Sequence, residues 1–284
     1  MLRSFFHNAP ELKSPREIAL MREAGKIVAE ALRLCRAMAK PGTKTIEIDQ
    51  AVEALYSRYG AIPLFKGYPG QNNKVPFPAS TCISINEQVV HGIPGQRVIK
   101  EGDLLKIDTA CKLNGWCADA AITIPIGELR PEWKRLLKVA EEVLQIAGVE
   151  LARRRWWTEV AMAMEQHVRR NGFSVVTQYV GHGIGRTMHE DPQVPNFVNR
   201  EVRKHDFRLE EGLVLAVEPM VNMGNRGDVD VQRDHWTVVT KDGLPSVHVE
   251  HTFAITREGV MVITADEDPA PIIRPGATPA VALS

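Results

Sequence analysis

The chain has 284 residues, 44% of them hydrophobic, enough to bury a sizeable core in one large domain or two small ones. Lys plus Arg and Asp plus Glu both number 35, so the overall charge excludes a dominant attraction to nucleic acid or an anionic membrane, while local basic patches stay open. Four cysteines, Cys35, Cys82, Cys111 and Cys117, show no CxxC spacing, which argues against a zinc knuckle or a redox dithiol and for reduced, mostly buried thiols.

The opening MLRSFFHNAP has no apolar run long enough for a signal peptide, and no stretch of about 18 apolar residues follows, so a cytoplasmic protein is expected. Arg3 and the absence of acids in this stretch leave a transit peptide as the alternative. Residues 1–12 read as an extension and 13–264 as a single domain. From Ser14 to Lys40, apolar residues recur at three- and four-residue intervals between Ser14-Pro15 and Pro41-Gly42, which predicts a helix. A second helix is expected from Thr45 to Tyr59, closed by Gly60. The plan recurs about 112 residues later, with Pro131 opening one helix and Thr158 to Arg170 forming another before Gly172. β-like runs follow each pair, at 80–91 and 103–125, then at 173–180, 213–222, 235–240 and 246–255. The expected fold class is therefore α+β, two halves of one architecture sharing a sheet. Residues 265–284, with four prolines, read as a disordered or loosely docked tail. In Arg153-Arg154-Arg155-Trp156-Trp157 the cations suit a helix C-terminus while the tryptophans cover the sheet; a contact with ribosomal RNA or another polyanion is the alternative.

Asn114-Gly115 is a preferred centre for a two-residue hairpin turn, because both positions need φ > 0. Leu113 then pairs with Trp116, Ala110 with Asp119 and Asp108 with Ala121. That register places Asp108 and Asp119 on one sheet face as diagonal neighbours roughly 5–8 Å apart. Two carboxylates so placed repel unless a cation lies between them, and two divalent ions about 3.5–4 Å apart suit the spacing. An ordinary hairpin with a wet polar face is the competing reading.

Four further segments put His or Glu in apolar or glycine-rich surroundings: His91 in EQVVHGIPG, His182 and His189 in YVGHGIGRTMHEDP, Glu218 in LVLAVEPMV and Glu250 in HVEHTFAIT. Glu218 ends a run expected to be buried, so it must be protonated, paired or metal-bound. One imidazole and four carboxylates suit Mn²⁺, Fe²⁺, Co²⁺ or Zn²⁺. Taken singly, His91 could cap a turn, His182 could be a core histidine and Glu250 an exposed strand residue. GHGIG is not followed by Lys-Ser/Thr, and a phosphate loop is disfavoured.

In order, NEQVVHGIP, KIDTACKLNGWCADAAIT, GHGIGRTMHEDP, AVEPMV and VEHTFAIT resemble the type I methionine aminopeptidases, from about Lys13 to Thr264. The resemblance implies the pita-bread fold shared with prolidases and Xaa-Pro aminopeptidases. It implies Asp108, Asp119, His182, Glu218 and Glu250 as ligands of two divalent metal ions, Asp119 and Glu250 bridging, with His91 and His189 contacting the substrate. The implied reaction removes the initiator methionine of peptides and nascent chains with a small second residue, by hydrolysis with a water bridging the metals. Glu218 would be the general base, His189 a donor to the carbonyl oxygen and His91 a partner of the scissile amide. Tyr68, Cys82, Met188 and Trp236 are candidates for the methionine pocket. The ribosome near its exit tunnel is a candidate partner, DNA and membranes are not, and a monomer is expected.

The chain departs from the family in an insertion of roughly nine residues between Pro69 and Ser80, in Met188 where phenylalanine is frequent, and in His248 where glutamine is usual. Spaced two residues from Glu250, His248 should share its strand face. A proline-specific peptidase of the same fold and a binding module that has lost catalysis are the other readings; a two-metal phosphoesterase lacks a basic cluster to hold phosphate.

Overall fold

A computed structural model describes residues 9–70 and 75–278. Parts of the extension (1–8), of the insertion (71–74) and of the tail (279–284) lie outside the described residues. In chain order the elements are α1 (Pro15–Met38), α2 (Thr45–Tyr59), β1 (Ile62–Pro63), β2 (Cys82–Ile85), β3 (Leu104–Leu113), β4 (Trp116–Pro125), α3 (Pro131–Leu151) and α4 (Trp157–Arg170). There follow β5 (Ser174–Val175), β6 (Gly181–Gly183), β7 (Glu190–Val194), α5 (Arg200–Lys204), β8 (Val214–Val217), β9 (Met220–Asn222), β10 (Val229–Val231) and β11 (Val238–Thr240). The chain continues with β12 (Ser246–His248), β13 (His251–Thr256), β14 (Gly259–Val262) and β15 (Ile272–Ile273).

The helices begin and end where their capping chemistry dictates. Ser14 and Glu17 form a reciprocal capping box ahead of α1, and Gly60, at φ 64°, closes α2 in the left-handed region. α1 and α2 pack on the odd-numbered face of β3, where Leu105, Ile107 and Cys111 are buried. The even-numbered face, carrying Lys106, Asp108 and Ala110, turns away from the helices. α3 and α4 cover the second half in the same way, through a core built on Leu144, Trp157, Leu215 and Phe253. All three strand pairings of the first half and all five of the sheet β15-β14-β13-β8-β6-β7 are antiparallel.

The halves meet along β4. Ala121 and Glu250 exchange backbone hydrogen bonds of 3.3 and 2.9 Å. On either side threonines complete the seam. The Thr252 hydroxyl accepts from the Asp119 N–H at 3.2 Å and donates to the Asp119 carbonyl at 2.7 Å; Thr123 does the same for His248 at 3.3 and 2.6 Å. Side chains thus replace ladder bonds where the two sheets diverge, satisfying backbone groups that would otherwise be buried and unpaired.

Several expectations need correction. The run 80–91 is a strand only over Cys82–Ile85, after which Asn86 (φ 55°) and His91 (φ 58°) bound a turn. The run 173–180 shrinks to β5, and β1, β6, β7, β10, β14 and β15 were not foreseen. The proline-rich tail is not loose throughout: β15 pairs with β14, and Ile273 is buried. Trp157 is buried, its indole N–H bonded to Pro195 O at 2.9 Å, whereas Trp156 is exposed and does not cover the sheet. Arg153 and Arg154 pair with Glu150. All four cysteines are free and buried, as expected. Among the described residues no helix is long and apolar enough to cross a membrane.

Candidate metal centre and active site

The β3–β4 hairpin has the register its turn demands: Leu113 opposite Trp116, Ala110 opposite Asp119 and Asp108 opposite Ala121, with Asn114 at φ 49° and Gly115 at φ 85°. Asp108 and Asp119 come close enough for their carboxyls to act on each other, an interaction that raises Asp108 and opposes the rise of Asp119. His182 is delivered by β6, squeezed between β7 and β8. A Cβ on Gly181 would lie 2.3 Å from Ala216 O, and one on Gly183 2.3 Å from Asp191 O, so only glycine fits on either side of the imidazole. The His182 Nδ1–H donates to Gly183 O at 2.9 Å, and burial lowers the imidazole pKa to about 4. The neutral ring therefore turns Nε2, as an acceptor, toward Asp119 Oδ2 at 3.9 Å and Glu218 Oε1 at 3.7 Å. Glu218 follows the last residue of β8, and Glu250 precedes β13 at the seam. One ligand atom each of Asp119, His182 and Glu250 lie within 4.8 Å of one another.

Four carboxyls in so small a buried space cannot all ionise alone. Burial first, and then the neighbouring carboxylates, hold Asp108, Glu218 and Glu250 well above the ordinary carboxyl range; burial also raises Asp119, to about 7. Asp108 Oδ1, Asp119 Oδ1 and Glu250 Oε1 are buried without a hydrogen-bond partner. Orphaned carboxylate oxygens facing an unprotonated imidazole nitrogen are all acceptors, and a hard or borderline cation satisfies such a set. The residues present therefore fit divalent metal.

Beside this cluster lies a separate apolar cage of Phe65, Phe77, Ala79, Cys82, Ala110 and Met188, with Tyr68, Ile93 and Trp236 packed against it. The four pocket candidates, Tyr68, Cys82, Met188 and Trp236, are thus brought together. Phe65, Phe77 and Ile93 were missed. Phe77 belongs to the insertion yet is 2% exposed, edge-on to Phe65 at 6.5 Å and to Trp236 at 5.2 Å between centroids. Its signal was an aromatic flanked by Pro76 and Pro78 beside a predicted strand, a poor site for a solvated phenyl ring. Trp236 is tied to the same segment by a 3.0 Å bond from its indole N–H to Val75 O.

The two expected substrate histidines flank the cleft. The Tyr68 hydroxyl lies 2.8 Å from Nδ1 of His189, whose ring stands 4.3 Å from that of His182. His91 is edge-on to Tyr179 at 5.4 Å, and burial lowers its pKa to about 4. Nε2 of His248 is buried without a hydrogen-bond partner, 3.6 Å from Glu218 Oε2. Cage, carboxylates and histidines open into one cleft of about 1170 Å³, to whose lining the N-terminal Ala9 and Glu11 also contribute. The 1–12 extension is therefore partly a wall of the site.

Fold and cleft together define a class: a pita-bread metallohydrolase with a carboxylate-rich centre at the seam of two α+β halves. The model of metallopeptidase family M24 matches residues 19–257, and the chain belongs to that family. It is 45% identical over 252 residues to methionine aminopeptidase 1 of Bacillus subtilis, a match covering 89% of this chain and 98% of that protein. The crystal structure of methionine aminopeptidase from Thermotoga maritima superposes with a TM-score of 0.84 at 38% identity, over 90% of this chain and 99% of that one. A prolidase from Pyrococcus horikoshii shares the fold at 21% identity and a TM-score of 0.68, the match covering 90% of this chain and 64% of that one.

Proposed function

We propose that the chain is a methionine aminopeptidase, releasing the N-terminal methionine of peptides and nascent chains whose second residue is small. One observation carries the reading: a cage of aromatic rings and sulfur atoms, suited to a thioether, opens directly beside a cluster of buried carboxyls without counter-charge. The relatives bearing that name span nearly their whole length on this chain.

Asp108, Asp119, His182, Glu218 and Glu250 would hold two divalent ions, drawn from Mn²⁺, Fe²⁺, Co²⁺ or Zn²⁺. Such ions acidify water toward neutrality and polarise a carbonyl. Glu218, with a side chain 15% exposed at the cleft wall, takes the proton of the attacking water and delivers it to the departing amine. His189, steadied through Nδ1 by Tyr68, presents Nε2 to the carbonyl oxygen of the scissile bond. Neutral His91 hydrogen-bonds the scissile amide. Phe65, Phe77, Cys82, Met188 and Trp236 enclose the methionine side chain and exclude water from it. An enzyme acting on nascent chains in the cytoplasm, within reach of the ribosome, is the setting this proposal carries with it.

The test is metal-stripped protein with each ion added back, assayed on Met-Ala-Ser, Met-Lys-Ser and Ala-Pro-Ala. Metal-dependent release of methionine from the first alone is expected. Cleavage of only the proline peptide would move the chain to the proline-specific branch, and inactivity with every ion would refute a peptidase.

A further inference from the structure

Lys106 is buried at 2% exposure on β3, two residues before Asp108 and on the same sheet face. Among the described residues its terminal nitrogen meets no carboxylate. It donates instead to two backbone carbonyls, Asn86 O at 2.7 Å and Ser246 O at 3.0 Å. Asn86 opens the turn that ends at His91, and Ser246 opens β12, which leads through His248 to Glu250. Asn86 O also accepts the Ser246 N–H at 3.0 Å, so one amine closes the junction of three segments. A side chain that is costly to bury and has no ion-pair partner among its contacts is worth retaining only for what it holds.

We propose that Lys106 is a positioning residue: its amine locks the His91 turn and the Glu250 strand to the Asp108 strand, setting how the two halves of the centre face each other. The proposal rests on the peptidase reading. Lys106 touches neither substrate nor the ligand cluster, and acts through the two carbonyls it gathers. A misplacement of about 1 Å in such a scaffold can cost on the order of 100-fold in rate.

Lys106→Met keeps the stem and removes the donors, while Lys106→Ala leaves a gap beside two orphaned carbonyls into which ammonium ion fits. Both variants are compared with the parent in kcat and KM on Met-Ala-Ser, and in Mn²⁺ affinity by thermal shift. Expected is a fall in kcat of about 10- to 100-fold with KM within about twofold, and weaker Mn²⁺ binding. In Lys106→Ala, ammonium chloride should restore both, and tetramethylammonium, too large for the gap, should not. If Lys106→Met fails to fold, Lys106→Ala prepared in ammonium decides. A folded variant with parental kcat and Mn²⁺ affinity would overturn the proposal. So would losses that the two salts repair equally. A parent that binds Mn²⁺ but cleaves no peptide would defeat the peptidase reading instead, and the ammonium dependence of Mn²⁺ binding would still decide the role of Lys106.

Discussion

Stripped of metal, the protein should lose stability as the pH rises above about 7, a window in which stability commonly holds. Asp108, Glu218 and Glu250 are held well above the ordinary carboxyl range, by burial and then by each other's charge or that of Asp119. As long as such a group keeps in the folded chain a proton that the unfolded chain has released, raising the pH favours unfolding. Each such group contributes about 1.4 kcal/mol per pH unit. Lys106 works the other way: burial lowers it to about 7, so above that pH the folded chain binds one proton fewer than the unfolded one. His91, His182 and His251, at about 4, and His248, at about 3, alter stability only below their unfolded value of 6.5 and leave this window untouched. Three carboxyls against one amine leave at most two groups uncompensated, a ceiling of about 3 kcal/mol per pH unit, against a total stability of about 5–15 kcal/mol for a typical domain. Urea unfolding of chelator-treated protein between about pH 7 and 8.5 reads the slope directly. Saturating Mn²⁺ should remove this fall and leave a stability that is flat or rising with pH, because the carboxyls then release their protons in the folded state as well and only the opposite contribution of Lys106 remains. A metal-free stability that is flat or rising with pH, or a slope identical with and without Mn²⁺, would refute the reasoning.

Glu218→Gln keeps the shape of the cluster and removes the proton carrier; kcat on Met-Ala-Ser should fall by about 10²–10⁴-fold, read by steady-state kinetics at saturating metal. Phe77→Ala opens the cage wall that the insertion supplies, raising KM for methionyl peptides and lowering unfolding free energy by about 3–5 kcal/mol in denaturant titration. Thr252→Val orphans both backbone groups of Asp119 at the seam and should cost about 1–3 kcal/mol, with weaker Mn²⁺ binding in a thermal-shift titration.

The parts of the site legible in the sequence were those fixed by local chemistry. Asn114-Gly115 admits one turn type, and the alternation it imposes carries Asp108 and Asp119 to one face with no tertiary information. Glu218 stood out because an apolar run cannot bury a charge without a partner. Start and stop residues bounded α1 and α2 for the same local reason. What stayed hidden is held by distant contacts. β6 and β7 are short, and Glu190–Val194 is mostly polar, so no periodicity announces them; they exist because β8 offers an edge. Phe77 joins the cage only after the insertion folds back, with Gly67 N–H donating to Phe77 O at 2.8 Å. Lys106 looked like any polar position of an alternating strand, and nothing nearby in sequence says that Ser246 O will meet its amine. β15 pairs by virtue of Ile272 and Ile273, whose signal the surrounding prolines masked.

What most needs testing is the proposal that Asp108, Asp119, His182, Glu218 and Glu250 hold two metal ions beside a cage suited to methionine. Crystals grown with Mn²⁺ and soaked in L-selenomethionine, measured at the manganese and selenium absorption edges, test it most directly. Two manganese peaks are expected among Asp108, Asp119, His182, Glu218 and Glu250, and one selenium peak between Phe77, Cys82, Met188 and Trp236. Manganese bound elsewhere, or selenium outside the cage, would contradict it.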